Sequence, residues 1–151
     1  AGQRRAGNGG RIEMRITLDS APPTAREAFA LRETTGWPMP SVERLASALD
    51  ASCAHVTARD EAGTLIGMAR AVGDGVLNLY IQDVMVHPDM RGCEIARDMV
   101  ADLLARLHSQ AQPMTTIGLL AVAGLEPFYE SLGFTRRPDG QFGAGMMLFT
   151  Q

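Results

Sequence analysis

Residues 77–107 constrain the fold more than any other part of the chain. Residues 77–86 are apolar on nearly both faces, which is typical of a central strand that is covered on both sides. Pro88 ends this strand, and residues 95–107 then follow a helical pattern with charged residues on one side. The apolar side of that helix consists of Ile95, Met99, Val100, Leu103, Leu104 and Leu107. The pattern predicts a buried strand that leads through a sharp turn into a helix.

The turn before this helix predicts an anion-binding site. Arg91 and Gly92 stand where backbone N–H groups lack intrahelical partners and the helix dipole favours negative charge. Gly92 lets the backbone approach a ligand closely, and Ala96 keeps the first helical turn slim. A pyrophosphate is the anion that best fits a loop of this length. The alternative interpretation is an ordinary tight turn before a helix.

The remaining patterns predict a mixed fold of strands and helices. Thr24 and Glu27 form a capping box, which predicts a helix through Leu31, and Ser41 caps a short second helix. A further short helix is predicted over residues 124–132, and further strands over residues 14–18, 54–59, 64–72, 116–121, 134–136 and 145–150. The expected class is α/β (α+β), a mixed and mainly antiparallel sheet of roughly six to seven strands flanked by about four helices.

Length and charge exclude several classes of protein. A chain of 151 residues predicts one domain, here residues 11–151, with the Gly-rich residues 1–10 as a disordered or artificial lead. The net charge of −3 and the lack of a basic stripe argue against a nucleic-acid partner. No apolar run approaches the roughly 20 residues of a membrane span, so no membrane partner is expected.

Cysteine and histidine usage argues against disulfides and metals. Cys53 and Cys93 form no CxxC pair, which favours a reducing compartment and predicts a cytoplasmic protein. The three histidines, His55, His87 and His108, lie in separate predicted elements, so no metal cofactor is expected.

The strand, loop and helix together resemble the acetyl-CoA motif of the GCN5-related N-acetyltransferase (GNAT) family. Arg91, Gly92 and Ala96 match the family's usual Arg-Gly-x-Gly-x-Gly/Ala loop, whereas Glu94 stands in place of the central glycine. The resemblance implies a GNAT-like sheet and acetyl-CoA as the cosubstrate. The cofactor-binding residues that it implies are Val84, Met85, Val86, Arg91, Gly92, Cys93, Glu94, Ile95 and Ala96.

A second stretch, residues 127–134, is similar to the closing signature of the same family. Its sequence Phe-Tyr-Glu-x-x-Gly-Phe places Tyr129 where the family often has a general acid for the departing CoA thiolate. The resemblance therefore implies that role for Tyr129; the alternative is a core aromatic beside Phe128. An asparagine that the family often has seven residues earlier is replaced by Val122.

The residues also suggest how the reaction would proceed. A neutral amine attacks the thioester, and a backbone N–H near Val84 or Met85 would stabilise the oxyanion. Asp83 shares a strand face with apolar residues, which would suit it to accept a proton near neutral pH. The open alternatives are a water relay, no dedicated base, or a structural role for Asp83 as a buried acceptor.

The expected acceptor is a primary amine of a small molecule. Tyr80 and Gln82 on the central strand and Glu33 and Trp37 in the loop after the first helix are the candidate acceptor-binding residues. The alternative functions are a non-catalytic acyl-CoA sensor and the acetylation of a protein amine. Residues 145–150 form a predicted edge strand that invites pairing, so a homodimer is a further expectation.

Overall fold

The computed structural model describes residues 3–5, 14–92 and 94–150. The strands are β1 (Gln3–Arg5), β2 (Arg15–Asp19), β3 (Ala54–Arg59), β4 (Leu65–Gly73), β5 (Asn78–Val86) and β6 (Thr116–Gly118). The helices are α1 (Ala25–Glu33), α2 (Val42–Asp50), α3 (Ile95–Gln110) and α4 (Glu126–Glu130). None of the helices described is long and apolar enough to cross a membrane.

The strands form one sheet in the order β1-β2-β3-β4-β5-β6. Each pair from β1–β2 to β4–β5 is antiparallel. The predicted class, a mixed sheet with flanking helices, is confirmed. The chain divides into two compact units, residues 1–117 and residues 118–151, where the sequence predicts one domain over residues 11–151.

Helices α1 and α2 cover one face of the sheet. The predicted capping box starts α1, because Thr24 Oγ1 accepts a hydrogen bond from Glu27 N at 3.2 Å and Glu27 Oε2 accepts one from Thr24 N at 2.8 Å. Ser41 caps α2 in the same way, through a bond from Arg44 N. The buried cluster on this face consists of Ala28, Leu31, Leu45, Leu49, Leu65, Met68 and Met85.

Helix α3 packs on the opposite face, against β3, β4 and β5. Its predicted apolar stripe is confirmed, since Met99, Val100 and Leu103 are fully buried. Gly67 is required here because a Cβ at this position would lie 2.8 Å from the Met99 sulfur. Successive residues of a strand point to opposite faces, so Gly67 faces α3 while Met68 faces α1 and α2.

Several predicted boundaries and two predicted strands are wrong. Residues 134–136 and 145–150 form no strand, and the predicted strand over 116–121 is shortened to β6. Glycines at 140, 143 and 145 weaken strand formation, and the side chains at 146–149 are mostly exposed. In the predicted lead, residues 3–5 pair with β2 as strand β1; the rest of residues 1–10 lies outside the described residues.

Candidate functional site

A β-bulge interrupts the pairing of β4 with β5 at Asp83. Met68 faces Met85 across the two strands and Arg70 faces Gln82, so two residues of β5 lie opposite the single residue Ala69. Asp83 adopts a positive φ of 53°, a conformation that residues with a side chain rarely take. The bulge therefore gives β5 a local backbone geometry that a regular strand would not have.

The bulge also decides which side chains of β5 share a face. Gln82 lies opposite Arg70, and Tyr80 lies opposite Val72. These two predicted acceptor-binding residues of β5 therefore face the side covered by α1 and α2. Both side chains are half-buried. The expectation that Asp83 lies among apolar neighbours is wrong, because the bulge turns its carboxylate toward two arginines.

Arg32 and Arg70 bind the two carboxylate oxygens of Asp83. Arg32 Nη1 donates to Oδ1 at 2.9 Å, and Arg70 Nε donates to Oδ2 at 2.7 Å. The Asp83 side chain is 8% exposed. This geometry matches the alternative in which Asp83 is a buried structural acceptor.

Beyond the bulge, the outer edge of β5 presents backbone donors. His87 N donates to Ile66 O at 2.8 Å, so the N–H of residue 87 points toward β4. Backbone groups alternate along an antiparallel strand, so the N–H groups of Val84 and Val86 point to the other edge, whereas that of Met85 points toward β4. Strand β6 begins beside Leu77, where Thr116 N donates to Leu77 O at 2.7 Å, and ends at Gly118. Within the first unit, the stretch from Val84 to Val86 therefore extends past β6.

The loop after β5 leads into the N-terminus of α3. A short 3-10 turn, Pro88–Met90, is followed by Gly92 with a φ of 78° and Glu94 with a φ of 58°. The Glu94 side chain makes no capping hydrogen bond, and the first N–H groups of any helix lack intrahelical partners. Such an N-terminus presents backbone donors and the positive end of the helix dipole, which are the features on which the predicted anion site depends.

The side chains of this loop differ in exposure. Arg91, Gly92 and Glu94 are exposed, Ala96 is half-buried, and Ile95 is buried against the core. Cys93 lies outside the described residues. Glu94 occupies the position of the family's central glycine and has the left-handed backbone that glycine favours.

On the α1 side, Arg32 links the bulge to the loop after α1. Its guanidinium lies 5.4 Å from the centre of the Trp37 ring, and its Nε donates to Pro38 O at 3.0 Å. Trp37 packs partly against the core, while Glu33 is exposed. Sequence reasoning missed Arg32 and Arg70, because no motif or spacing singles out either arginine.

Tyr129 lies in the second unit, on α4. It is buried and meets Phe128 and Phe134 edge to face, with ring centres 5.0 Å and 6.0 Å apart. Burial raises the pKa of the Tyr129 hydroxyl above its ordinary value of 10.0. The phenol is therefore protonated at neutral pH.

Within residues 14–92 and 94–150, no group of three or more histidine, cysteine, aspartate or glutamate side chains is arranged to hold a metal ion.

A family comparison covers most of the chain. Residues 20–150 match the family described as "Acetyltransferase (GNAT) domain". The chain belongs to this family, and the predicted resemblance is confirmed.

Three relatives show the range of the family around this chain. An N-acetyltransferase named Ycf52 from Pyropia yezoensis is 33% identical over 120 residues, which are 78% of this chain and 68% of the relative. Serotonin N-acetyltransferase 2, chloroplastic, from Oryza sativa is 34% identical over 77% of this chain and 60% of its own. Histone acetyltransferase TAP1 from Glycine max is 30% identical over 87% of this chain and 60% of its own.

A solved structure agrees with the fold. A Staphylococcus aureus protein superposes with a TM-score of 0.80 at 21% identity, covering 89% of this chain and 99% of that one. At this identity the likeness concerns the fold alone.

Proposed function

We propose that this protein transfers an acetyl group from acetyl-CoA to a primary amine of a small molecule. The observation that carries the proposal is the bulged strand β5 followed by the Arg91-Gly92 loop and the open N-terminus of α3. A strand edge with outward donors and a helix N-terminus match the two ends of the cosubstrate, its amide-rich arm and its pyrophosphate.

The pyrophosphate binds at the start of α3. The N–H groups of residues 94–96 and the helix dipole favour its negative charge, and Arg91 adds a cation beside them. The pantetheine arm lies along the outer edge of β5, where the N–H groups of Val84 and Val86 donate to its amide oxygens or to the thioester oxygen. Glu94 places a carboxylate in the same loop. Because this side chain is exposed, water weakens its repulsion of the pyrophosphate without removing it.

The reaction is a direct attack on the thioester. The neutral amine nitrogen bonds to the carbonyl carbon, the oxyanion is held by a backbone N–H of β5, and the carbon–sulfur bond then breaks. Tyr129, protonated at neutral pH, gives its proton to the departing thiolate. Both oxygens of Asp83 already accept hydrogen bonds, so the proton of the amine passes to water, and solvent returns a proton to Tyr129.

A small acceptor is favoured over a protein. Tyr80 and Gln82 face the side covered by α1 and α2, and this half-buried setting suits a compact ligand. The name of the rice relative indicates a small amine acceptor for that protein, and the name of the soybean relative indicates a protein acceptor for that one. Acetylation of a protein amine is therefore the second candidate function.

The first test is titration of the protein with acetyl-CoA by calorimetry. Binding is expected in the wild type and should be lost in Arg91→Glu. Arg44→Glu, an equal charge change on the exposed side of α2, is the matched control and should bind normally. A thiol-release assay with small amines and with lysine peptides then separates the two acceptor classes. Binding without thiol release for any amine would indicate an acyl-CoA sensor, and no binding would refute the proposal.

Two further proposals concern assembly and location. Residues 146–149 expose apolar side chains and carry no charge, which favours pairing with a second copy as a homodimer. Light scattering of the purified protein tests this. A cytoplasmic location is proposed from the cysteine usage, and a fluorescent fusion in the source cell tests it.

A further inference from the structure

A buried charge cluster lies beneath the bulge of β5. It consists of Asp83 and the guanidinium groups of Arg32 and Arg70, whose side chains are 8%, 18% and 14% exposed. Buried charges are unfavourable unless they are paired, so the three groups hold one another in place. The cluster fixes the position of the Asp83 carboxylate from two directions.

The backbone at Asp83 needs such support. A φ of 53° is unfavourable for residues with a side chain, although aspartate tolerates it better than most. The strand could regain a regular backbone only by moving the carboxylate away from both arginines. The ion pairs therefore stabilise the bulge, and the bulge sets the direction of the Val84 and Val86 N–H groups.

Arg70 ties the bulge to the end of α2. Its Nη1 donates to Ala48 O at 3.2 Å and to Ser52 Oγ at 3.1 Å, while its Nε binds Asp83. All of these partners belong to the scaffold on the α1–α2 face.

Arg32 has a second partner of a different kind. Besides Asp83 it binds Pro38 O and lies over the ring of Trp37. Both belong to residues 34–40, here called the acceptor loop. The same guanidinium therefore contacts the bulge and the segment proposed to bind the amine.

We propose that Arg32 and Arg70 are positioning residues for acetyl transfer, and that Arg32 also couples the acceptor loop to the bulge. This inference rests on the proposed function. Both arginines act through the carboxylate of Asp83, which holds the backbone donors of β5 toward the thioester. A displacement of the acceptor loop by a bound amine is transmitted to the bulge through Arg32.

The kinetic test compares Arg32→Gln and Arg70→Gln with Arg59→Gln. Arg59 also pairs with a carboxylate on α1, but at its N-terminus. We expect kcat to fall at least about tenfold in both cluster variants, because the oxyanion donors lose their fixed direction. The KM for the amine should rise only in Arg32→Gln, and Arg70→Lys should recover part of kcat. Arg59→Gln should lower the melting temperature without changing kcat.

Two kinetic results would overturn the inference. A loss of kcat no larger than that of Arg59→Gln would mean that the cluster only stabilises the fold and does not position the reacting groups. An equal rise in the amine KM for Arg32→Gln and Arg70→Gln would show that Arg32 does not couple the acceptor loop to the bulge. Asp83→Asn separates positioning from base catalysis: positioning lowers kcat and leaves the shape of the pH–rate profile unchanged, whereas loss of a base removes its acidic limb.

Hydrogen exchange gives a readout that requires no turnover. Exchange in residues 80–86 should quicken in Arg32→Gln and Arg70→Gln, and exchange in the acceptor loop should quicken in Arg32→Gln alone. The Arg59→Gln protein should match the wild type in both segments. Unchanged exchange in the cluster variants would refute the inference even if acetyl transfer is confirmed, and the expected pattern would support it even if no acceptor is found.

Discussion

Arg59 binds Glu27 with two nitrogens, Nη1 at 2.5 Å from Oε1 and Nη2 at 3.1 Å from Oε2. The same carboxylate completes the capping box with Thr24, so one side chain joins the start of α1 to the end of β3. The hydrogen bonds from Arg59 lower the pKa of Glu27 to about 2, from its ordinary 4.5. The pairing links a local helix signal to a tertiary contact.

Glu27→Gln should destabilise the fold in a pH-dependent way. The pKa is lower in the folded chain, so the ionised group stabilises the fold above about pH 4.5, and this contribution is lost as pH falls toward about 2. Glutamine still accepts the capping bond, so the partly exposed charge pair accounts for a loss of about 1 kcal/mol at pH 7. Urea unfolding of both proteins at pH 7 and pH 3 measures the difference, which should shrink at pH 3. An equal difference at pH 7 and pH 3 would show that the charge of Glu27 is not its cause.

The burial of His55 predicts a second pH dependence, in which the fold loses stability at mildly acidic pH. Its Nε2 lies 3.1 Å from Leu49 O, and its Nδ1 is buried without a hydrogen-bond partner among the described residues. Burial lowers the pKa of His55 below 6.5. The unfolded chain therefore binds the proton more readily, so the stability is complete above about pH 6.5 and falls as pH drops from there toward the folded pKa.

His55→Gln tests this, since glutamine can still donate to Leu49 O. The free energy of unfolding of the variant should depend less on pH between 7 and 5 than that of the wild type. Parallel pH curves for the two proteins would assign the acid sensitivity to other groups.

We expect Glu94 to lower both the stability of the fold and the affinity for acetyl-CoA, by separable causes. Glu94→Gly relieves the left-handed backbone and should raise the free energy of unfolding by up to about 1 kcal/mol. Glu94→Gln removes only the charge and should leave stability nearly unchanged. Both should bind acetyl-CoA severalfold more tightly, because a carboxylate leaves the pyrophosphate loop. Calorimetry and thermal melts of the three proteins measure the two effects, and equal affinities throughout would show that Glu94 points away from the ligand.

The helices could be predicted because their signals are local. The capping box at Thr24 lies within one helical turn, and the apolar stripe of α3 lies within a single helix. Both match the structure. The prediction of strands at residues 134–136 and 145–150 is wrong, because a strand forms only with a paired neighbour. High β-propensity at Phe149 and Thr150 does not supply that neighbour.

The site was predictable only where its geometry is local. The Arg91-Gly92 turn and the start of α3 follow from adjacent residues. The bulge does not, because Asp83 is held by Arg32, 51 residues away, and by Arg70, 13 residues away. From the alternation along β5, Asp83 is predicted to lie among apolar residues. In the structure its carboxylate binds two arginines from distant parts of the chain.

Tyr129→Phe separates a proton donor from a packing residue. The phenylalanine ring keeps the edge-to-face contacts with Phe128 and Phe134, so the melting temperature should stay close to that of the wild type. If the hydroxyl protonates the thiolate, kcat should fall by about 100-fold while the Kd for acetyl-CoA is unchanged. Burial raises the pKa of this phenol above 10.0, so the wild-type rate should fall only at strongly alkaline pH, and the variant should lack that limb. Phe134→Leu is the control, expected to lower the melting temperature and spare kcat. An unchanged kcat in Tyr129→Phe would assign the proton transfer to water and leave Tyr129 as part of the hydrophobic core.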